Sequence, residues 1–183
     1  MAYPPVIIVD ENDQEVGTAM LAEAWAKGFY HRIARIMVVD HDGRILLQRR
    51  ANDMKLYPGR WDDSAAGHVD VGDTYESAAK RELAEEAGLS DVPLEPLGKF
   101  RANDTFGNSI LNRFHQAYRV VLPAGAHVHP DHDEVGELKW FTADEIGRML
   151  TEDTDAFTPD CLRVLGVYFN VLAHPRQTAT IQI

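Results

Sequence analysis

The sequence predicts an α/β protein, an α/β/α sandwich with a mixed central sheet, preceded by an N-terminal β-hairpin and closed by a C-terminal helix. Three observations carry this expectation. Strand-like, β-branched segments lie on both sides of one central helical segment, that helix has its own start and stop signals, and a second apolar helical pattern ends the chain.

Taken in order, Val6 to Val9 and Glu15 to Thr18 flank the turn-rich DENDQ and predict a small hairpin. Residues 20 to 27, MLAEAWAK, read as a short helix stopped by Gly28. HRIARIMVVD is a β-branched strand, HDG a turn, and RILLQRR its antiparallel partner, the start of the core sheet. RRANDMKLYPGRWD reads as a loop punctuated by Pro58 and Gly59, leading through DSAAG into residues 67 to 89. There a helix is expected from about Thr74 to Ala87. Asp73 or Thr74 can accept the first free backbone N–H groups, Glu76 stands three residues after Asp73 as in a capping box, and Gly88 is the stop.

VPLEPLGKFRA and SILNRFHQAYRVVL read as longer strands separated by the turn-like NDTFGN, and PAGAHVHPDHD as a polar excursion. GELKWF is a further strand. Thr142 with Glu145 forms a capping-box pattern opening ADEIGRML, and Thr158 followed by Pro159 starts the last helix, to about Ala173. QTATIQI is either a tail or an extra strand. With 183 residues and no repeat or linker, a single domain over 1–183 is expected.

A net charge of -11 argues against a general nucleic-acid or anionic-membrane surface, so neither partner is expected. Cys161 is the only cysteine, which rules out an intramolecular disulfide and fits a reducing compartment. It falls in an apolar helical pattern and is read as packing. No apolar stretch approaches membrane-spanning length, and a soluble cytoplasmic protein is the expectation. His127, His129 and His132 are read as a hydrated loop instead of a zinc site, with Pro130 and acids between them and no cysteine nearby.

Chemistry concentrates in GHVDVGDTYESAAKRELAEEAGL. Glu82, Glu85 and Glu86 are spaced i, i+3, i+4, which sets three carboxylates within an arc of roughly 100° on one helix face. Ala79 and Leu83 border that arc, so Glu86 should lie beside the buried side. On a bare helix this arrangement is unfavourable, because Glu82 and Glu86 repel and all three sit toward the negative end of the macrodipole. Arg81 supplies one charge but is expected to point away from the arc's centre. An oxygen-only set suits a hard divalent cation, Mg2+ or Mn2+.

The pattern Gly67-x5-Asp73-x7-Arg81-Glu82-Leu83-x-Glu85-Glu86-x-Gly88-Leu89 resembles the Nudix box, the signature of hydrolases that cleave a diphosphate linked to another group. One position departs, since Asp73 stands where the family has glutamate. HRIARIMVV, GRILLQRR, K-x-x-PG-x-WD, SAAGH, DEVGELKWFTADEI and FTPDCLRVL extend the resemblance to the branch similar to isopentenyl-diphosphate isomerase.

The resemblance implies the same α/β/α fold and a site in which Glu82, Glu85 and Glu86, with a backbone carbonyl at Ala66 or Gly67, hold one to three divalent ions against a small-molecule diphosphate. It offers Glu82 or Glu134 as the base that takes the proton of the attacking water. Arg81 is expected to orient the carboxylates by ion pairing. Arg50 and Lys55 match diphosphate contacts of the isomerase-like branch, surface cations being the competing reading; His31 and His68 are partial counterparts of its metal-binding histidines, and His68 is taken as a substrate-binding candidate. The isomerase's catalytic cysteine corresponds to Ala66, and two of its ligand glutamates to Leu111 and Arg113, so hydrolysis is expected over isomerisation. A non-catalytic diphosphate-binding module is the third reading. Trp61 either walls the pocket or packs in the core. The moiety beyond the diphosphate and the oligomeric state, a homodimer included, stay open.

Overall fold

The computed structural model describes residues 4–129 and 135–173, which leaves Glu134, His132 and QTATIQI outside the described residues. Its architecture is built on β3 (Tyr30–Val39), which pairs with four other strands. β1 (Pro5–Val9) and β2 (Glu15–Met20) form the expected hairpin, and β1 pairs antiparallel with the start of β3 through Ile8↔His31. Further along the same edge β3 pairs with β6 (Ala65–His68), and at its end with β4 (Ile45–Arg50) through Val39↔Ile45. Its other edge runs parallel to β8 (Ser109–Val121) for nine residues, from His31↔Arg113 to Val39↔Val121. β7 (Glu95–Phe106) is antiparallel to β8, and β4 is flanked by β5 (Trp61–Asp62) and β9 (Val135–Phe141). Parallel and antiparallel ladders share one sheet, as expected.

Both faces of β3 are covered, which is why its sequence is almost continuously apolar instead of alternating. Ala34, Ile36 and Val38 face α2 (Tyr75–Ala87), against Ala78, Ala79, Leu83 and Ala87. Met37 and Val39 face the opposite layer, where α3 (Ala143–Glu152) and α4 (Pro159–Ala173) supply Ile146, Cys161, Val164 and Leu165. Ile36 and Met37 have no exposed surface, and burying side chains of this size contributes about 1.5–3 kcal/mol each. A third cluster lies under α1 (Leu21–Lys27), where Leu21, Ala24 and Trp25 meet Val6, Ile8 and Leu111. Cys161 is fully buried in the α4 layer, a packing residue, and its burial pushes the thiol pKa up.

Three sequence expectations change. The capping box of α2 is Thr74 with Ser77, not Asp73 with Glu76; Thr74 accepts from the Ser77 N–H, and Ser77 Oγ accepts from the Thr74 N–H. Glu76 instead pairs with Lys80 at 2.6 Å on the exposed side. Asn103 to Phe106 belong to β7, because the hairpin closes on the two residues Gly107 and Asn108, with Gly107 at φ 58. The segment read as loop contains β5 and β6, each too short to carry a periodic signal and held by partners distant in sequence. The Thr142–Glu145 box, Thr158 accepting from the Cys161 N–H, and Gly28 and Gly88 in the left-handed conformation are all found.

Candidate active site

Helix α2 packs on the sheet beneath it: Ala79 and Leu83 sink into the core, and Glu82 and Glu86, one turn apart, come down beside them onto β6. Glu86 is only 6% exposed. A carboxylate so placed needs hydrogen-bond donors, and its Oε2 accepts two, from Gln48 Nε2 at 2.9 Å and from the Ala66 N–H at 3.0 Å. Glu82 lies against the next residue of the strand. A Cβ built on Gly67 would stand 1.9 Å from the Glu82 carboxyl carbon, so the glycine is required by the close approach of this side chain. Glu85 completes the arc with a side chain 57% exposed.

Arg81 reaches this arc, contrary to the expectation that it points away. Its Nη1 meets Glu82 at 2.6 Å and Glu85 at 3.5 Å, while Nη2 donates to the His68 carbonyl at 3.0 Å and approaches Asp70 and Asp73 at 3.4 and 3.5 Å. A long, forked guanidinium spans from the helix to the loop, which the Cβ direction alone does not reveal. Partial burial opposes its charge, and Glu82, followed by Asp70 and Glu85, still raises its pKa. Asp73 keeps the Arg81 contact and accepts from Ser77 Oγ at 2.9 Å. Around one guanidinium thus gather Asp70, Asp73, Glu82 and Glu85, with Glu86 beside them. Burial, opposed by Arg81 and reinforced by Asp73, raises the pKa of Asp70.

The other candidates divide. His68 sits on β6 with its ring stacked on His31 at 5.4 Å and tilted to Trp25 at 6.3 Å; burial, then His31 and Arg113, hold it far below the usual histidine range, so it is a neutral ring. Lys55 is exposed, its Nζ 4.7 Å from the Trp25 ring centre and thus on the same side as His68. Arg50 is engaged, donating to Leu56 O at 2.8 Å and to Asp62 at 3.2 Å, and so organises the loop before the site. Trp61 packs edge-on to Phe141 at 4.9 Å beside the α4 layer, which assigns it to the core.

Sequence reading missed a buried charge network on the α4 side. Arg35, in the middle of β3, donates to Asp62, Asp63 and Asp160 at 3.0, 2.7 and 2.7 Å and to His115 Nδ1 at 3.2 Å. Asp160 also meets Arg113 at 2.8 Å and Arg163 at 3.1 Å. Burial opposes the charge of Asp160, but these guanidiniums hold its pKa well below the carboxylate range; burial pushes Asp63 up to about 7 against the pull of Arg35. An arginine inside an apolar strand was the available signal. Its partners, up to 125 residues away, were not.

An acidic helix face seated on a glycine-bearing strand, inside an α/β/α sandwich, defines the Nudix class of fold. The chain belongs to the Nudix family, with residues 29–163 matching the NUDIX domain. It is 33% identical over 166 residues to an isopentenyl-diphosphate Delta-isomerase of Nocardia farcinica, covering 89% of this chain and 93% of that protein. It is 31% identical over 163 residues to an uncharacterised Nudix hydrolase of Yersinia pestis, covering 89% and 84%. Among solved structures, a Deinococcus radiodurans protein superposes with a TM-score of 0.71 at 22% identity, over 90% of this chain and 99% of that one. The Nudix domain of Shewanella oneidensis NrtR, complexed with ADP ribose, does so with 0.61 at 19%, over 84% and 99%. No helix among the described residues is long and apolar enough to cross a membrane.

Nudix hydrolases in general use divalent metal ions, and the residues here fit one. The donors are oxygens only, Gly67 leaves the Glu82 carboxylate room against the backbone, and one arginine faces a larger set of carboxylates.

Proposed function

We propose that this protein is a divalent-cation-dependent hydrolase of a phosphoanhydride bond in a small-molecule diphosphate, a nucleoside diphosphate-linked compound or a related one. The observation that carries the reading is the docking of Glu82 and Glu86 on the Ala66–Gly67 backbone, with Glu85 half-exposed on the same face. Mg2+ or Mn2+ held by Glu82, Glu85, Glu86 and the carbonyl of Ala66 or Gly67 would neutralise phosphate oxygens and activate water.

The chain's own residues then have distinct tasks. Gln48 and the Ala66 N–H fix Glu86, and Arg81 ties Glu82 to the end of β6 through the His68 carbonyl. Lys55, exposed and close to the Trp25 ring, is the candidate cation to meet a diphosphate, whereas Arg50 shapes the loop that carries it. Glu82 is already engaged by Arg81, so Glu134 competes with it for the role of proton acceptor; the kcat of Glu134→Gln decides between them.

The relatives named as isomerases keep a second reading in view, but the residues speak against it. Ala66 carries no group able to move a proton. Leu111 is fully buried in the apolar cluster under α1, and Arg113 is ion-paired to Asp160. Incubation with nucleotide, nucleotide-sugar and prenyl diphosphates in Mg2+ or Mn2+, reading released phosphate or pyrophosphate, tests the proposal. Isopentenyl diphosphate converted to its isomer with no phosphate released would replace it with the isomerase. Binding without turnover at any metal concentration would replace it with a non-catalytic module.

A further inference from the structure

The geometry assigns Gln48 as the positioning residue of the cation site, holding the Glu86 carboxylate in its ligating orientation. The inference rests on the hydrolase reading and adds to it a residue outside the 67–89 motif. Gln48 follows Leu46 on the face of β4 that looks at α2, where strand alternation calls for an apolar side chain. It carries an amide instead, 3% exposed. The strand beneath it is held from both edges, with Gln48 in register with Asp62 of β5 and Leu138 of β9, so its Cα is fixed by the sheet.

Its Nε2 donates to Glu86 Oε2 at 2.9 Å, and the Ala66 N–H from β6 donates to the same oxygen at 3.0 Å. Two donors on separate strands leave the carboxylate little freedom to rotate about its last torsion. Donors aimed at a ligating carboxylate tune its affinity for metal. Glu86 lies on the buried side of the helix, where such control is available, whereas the Glu85 side chain is 57% exposed.

The test is Mn2+ binding followed by electron paramagnetic resonance of the free ion, on the full chain, without substrate. Gln48→Met keeps the length and about the volume of the side chain while removing its amide donor to Glu86, the Ala66 N–H remaining. We expect its Mn2+ dissociation constant to rise by about 10–100-fold. With substrate, the Mg2+ concentration giving half-maximal rate should rise by a larger factor than kcat at saturating Mg2+ falls. A purely structural role would lower thermal stability and kcat together and leave Mn2+ affinity unmoved; Mn2+ affinity equal to wild type overturns the inference and leaves the hydrolase reading standing. Failure of wild-type protein to bind Mn2+ overturns both.

Should Gln48→Met not fold, Gln48→Asn serves, since it keeps the amide but draws it back by one methylene from Glu86 Oε2; its Mn2+ dissociation constant should also rise, and an affinity equal to wild type contradicts the assignment.

Discussion

Replacing Gly67 by alanine separates activity from stability. The added Cβ would lie 1.9 Å from Glu82 Cδ and Oε1 and 2.5 Å from Cγ, whereas ordinary contact begins at 3.4 Å, so the carboxylate must retreat by about 1.5 Å. The backbone of Gly67 is strand-like and outside the left-handed region, so alanine brings no main-chain strain. Glu82 is the end of a flexible side chain that can rotate outward, at a stability cost of about 1 kcal/mol from a strained rotamer and a weakened, partly exposed ion pair to Arg81. Catalysis has no such latitude, since misplacement of a catalytic group by about 1 Å costs on the order of 100-fold. Gly67→Ala should therefore lose about 100-fold in kcat/KM, with a melting temperature within a few degrees of wild type. Turnover at the wild-type level would show that Glu82 does not work from its position against β6.

The remaining predictions concern neighbouring groups. Glu86→Gln replaces the buried carboxylate proposed as a ligand, and kcat with saturating Mg2+ should fall by about 100-fold or more, since cation stabilisation of developing charge is worth several kcal/mol. Arg81→Lys cannot reproduce a fork that reaches Glu82 and the His68 carbonyl together, so steady-state assay should show a loss of about 10-fold in kcat/KM. Asp160→Ala leaves Arg35 and Arg113 buried with fewer carboxylates, and urea unfolding should record a loss of about 3–5 kcal/mol. Asp63 has a folded-state pKa of about 7 against an ordinary 3.8, raised first by burial. Its stabilising contribution is thus present below about pH 4 and disappears as pH rises through about 7. His31, lowered by burial to about 4, acts with the opposite sign over much of that window, gaining stability as pH rises. Asp63→Asn isolates the first effect: its melting temperature minus that of wild type should climb between pH 4 and pH 7, and a flat difference would remove the assignment.

What could be read from the chain follows from how local each signal is. α2 announces itself by Thr74, Gly88 and the spacing of Ala79 and Leu83, and α3 by Thr142 with Glu145, because caps and stops act within four residues. The placement of Glu86 beside the core was legible from the same period. What it touches was not, since Gln48 lies 38 residues earlier. β6 has four residues, AAGH, with no hydrophobic alternation, and becomes a strand only because Ile33 to Ile36 offer it an edge. The reach of Arg81 depends on side-chain torsions, and the Arg35 network on residues brought together from β3, β5, β8 and α4. Sequence spacing located the helix acids; the strands that hold them emerge only from the sheet.

The most direct test of the cation site is anomalous diffraction at the manganese edge from crystals soaked in Mn2+. A peak bounded by Glu82, Glu86 and the backbone carbonyl of Ala66 or Gly67, lost in Glu86→Gln, is the predicted result. Carboxylates turned to solvent with no peak between them would contradict it.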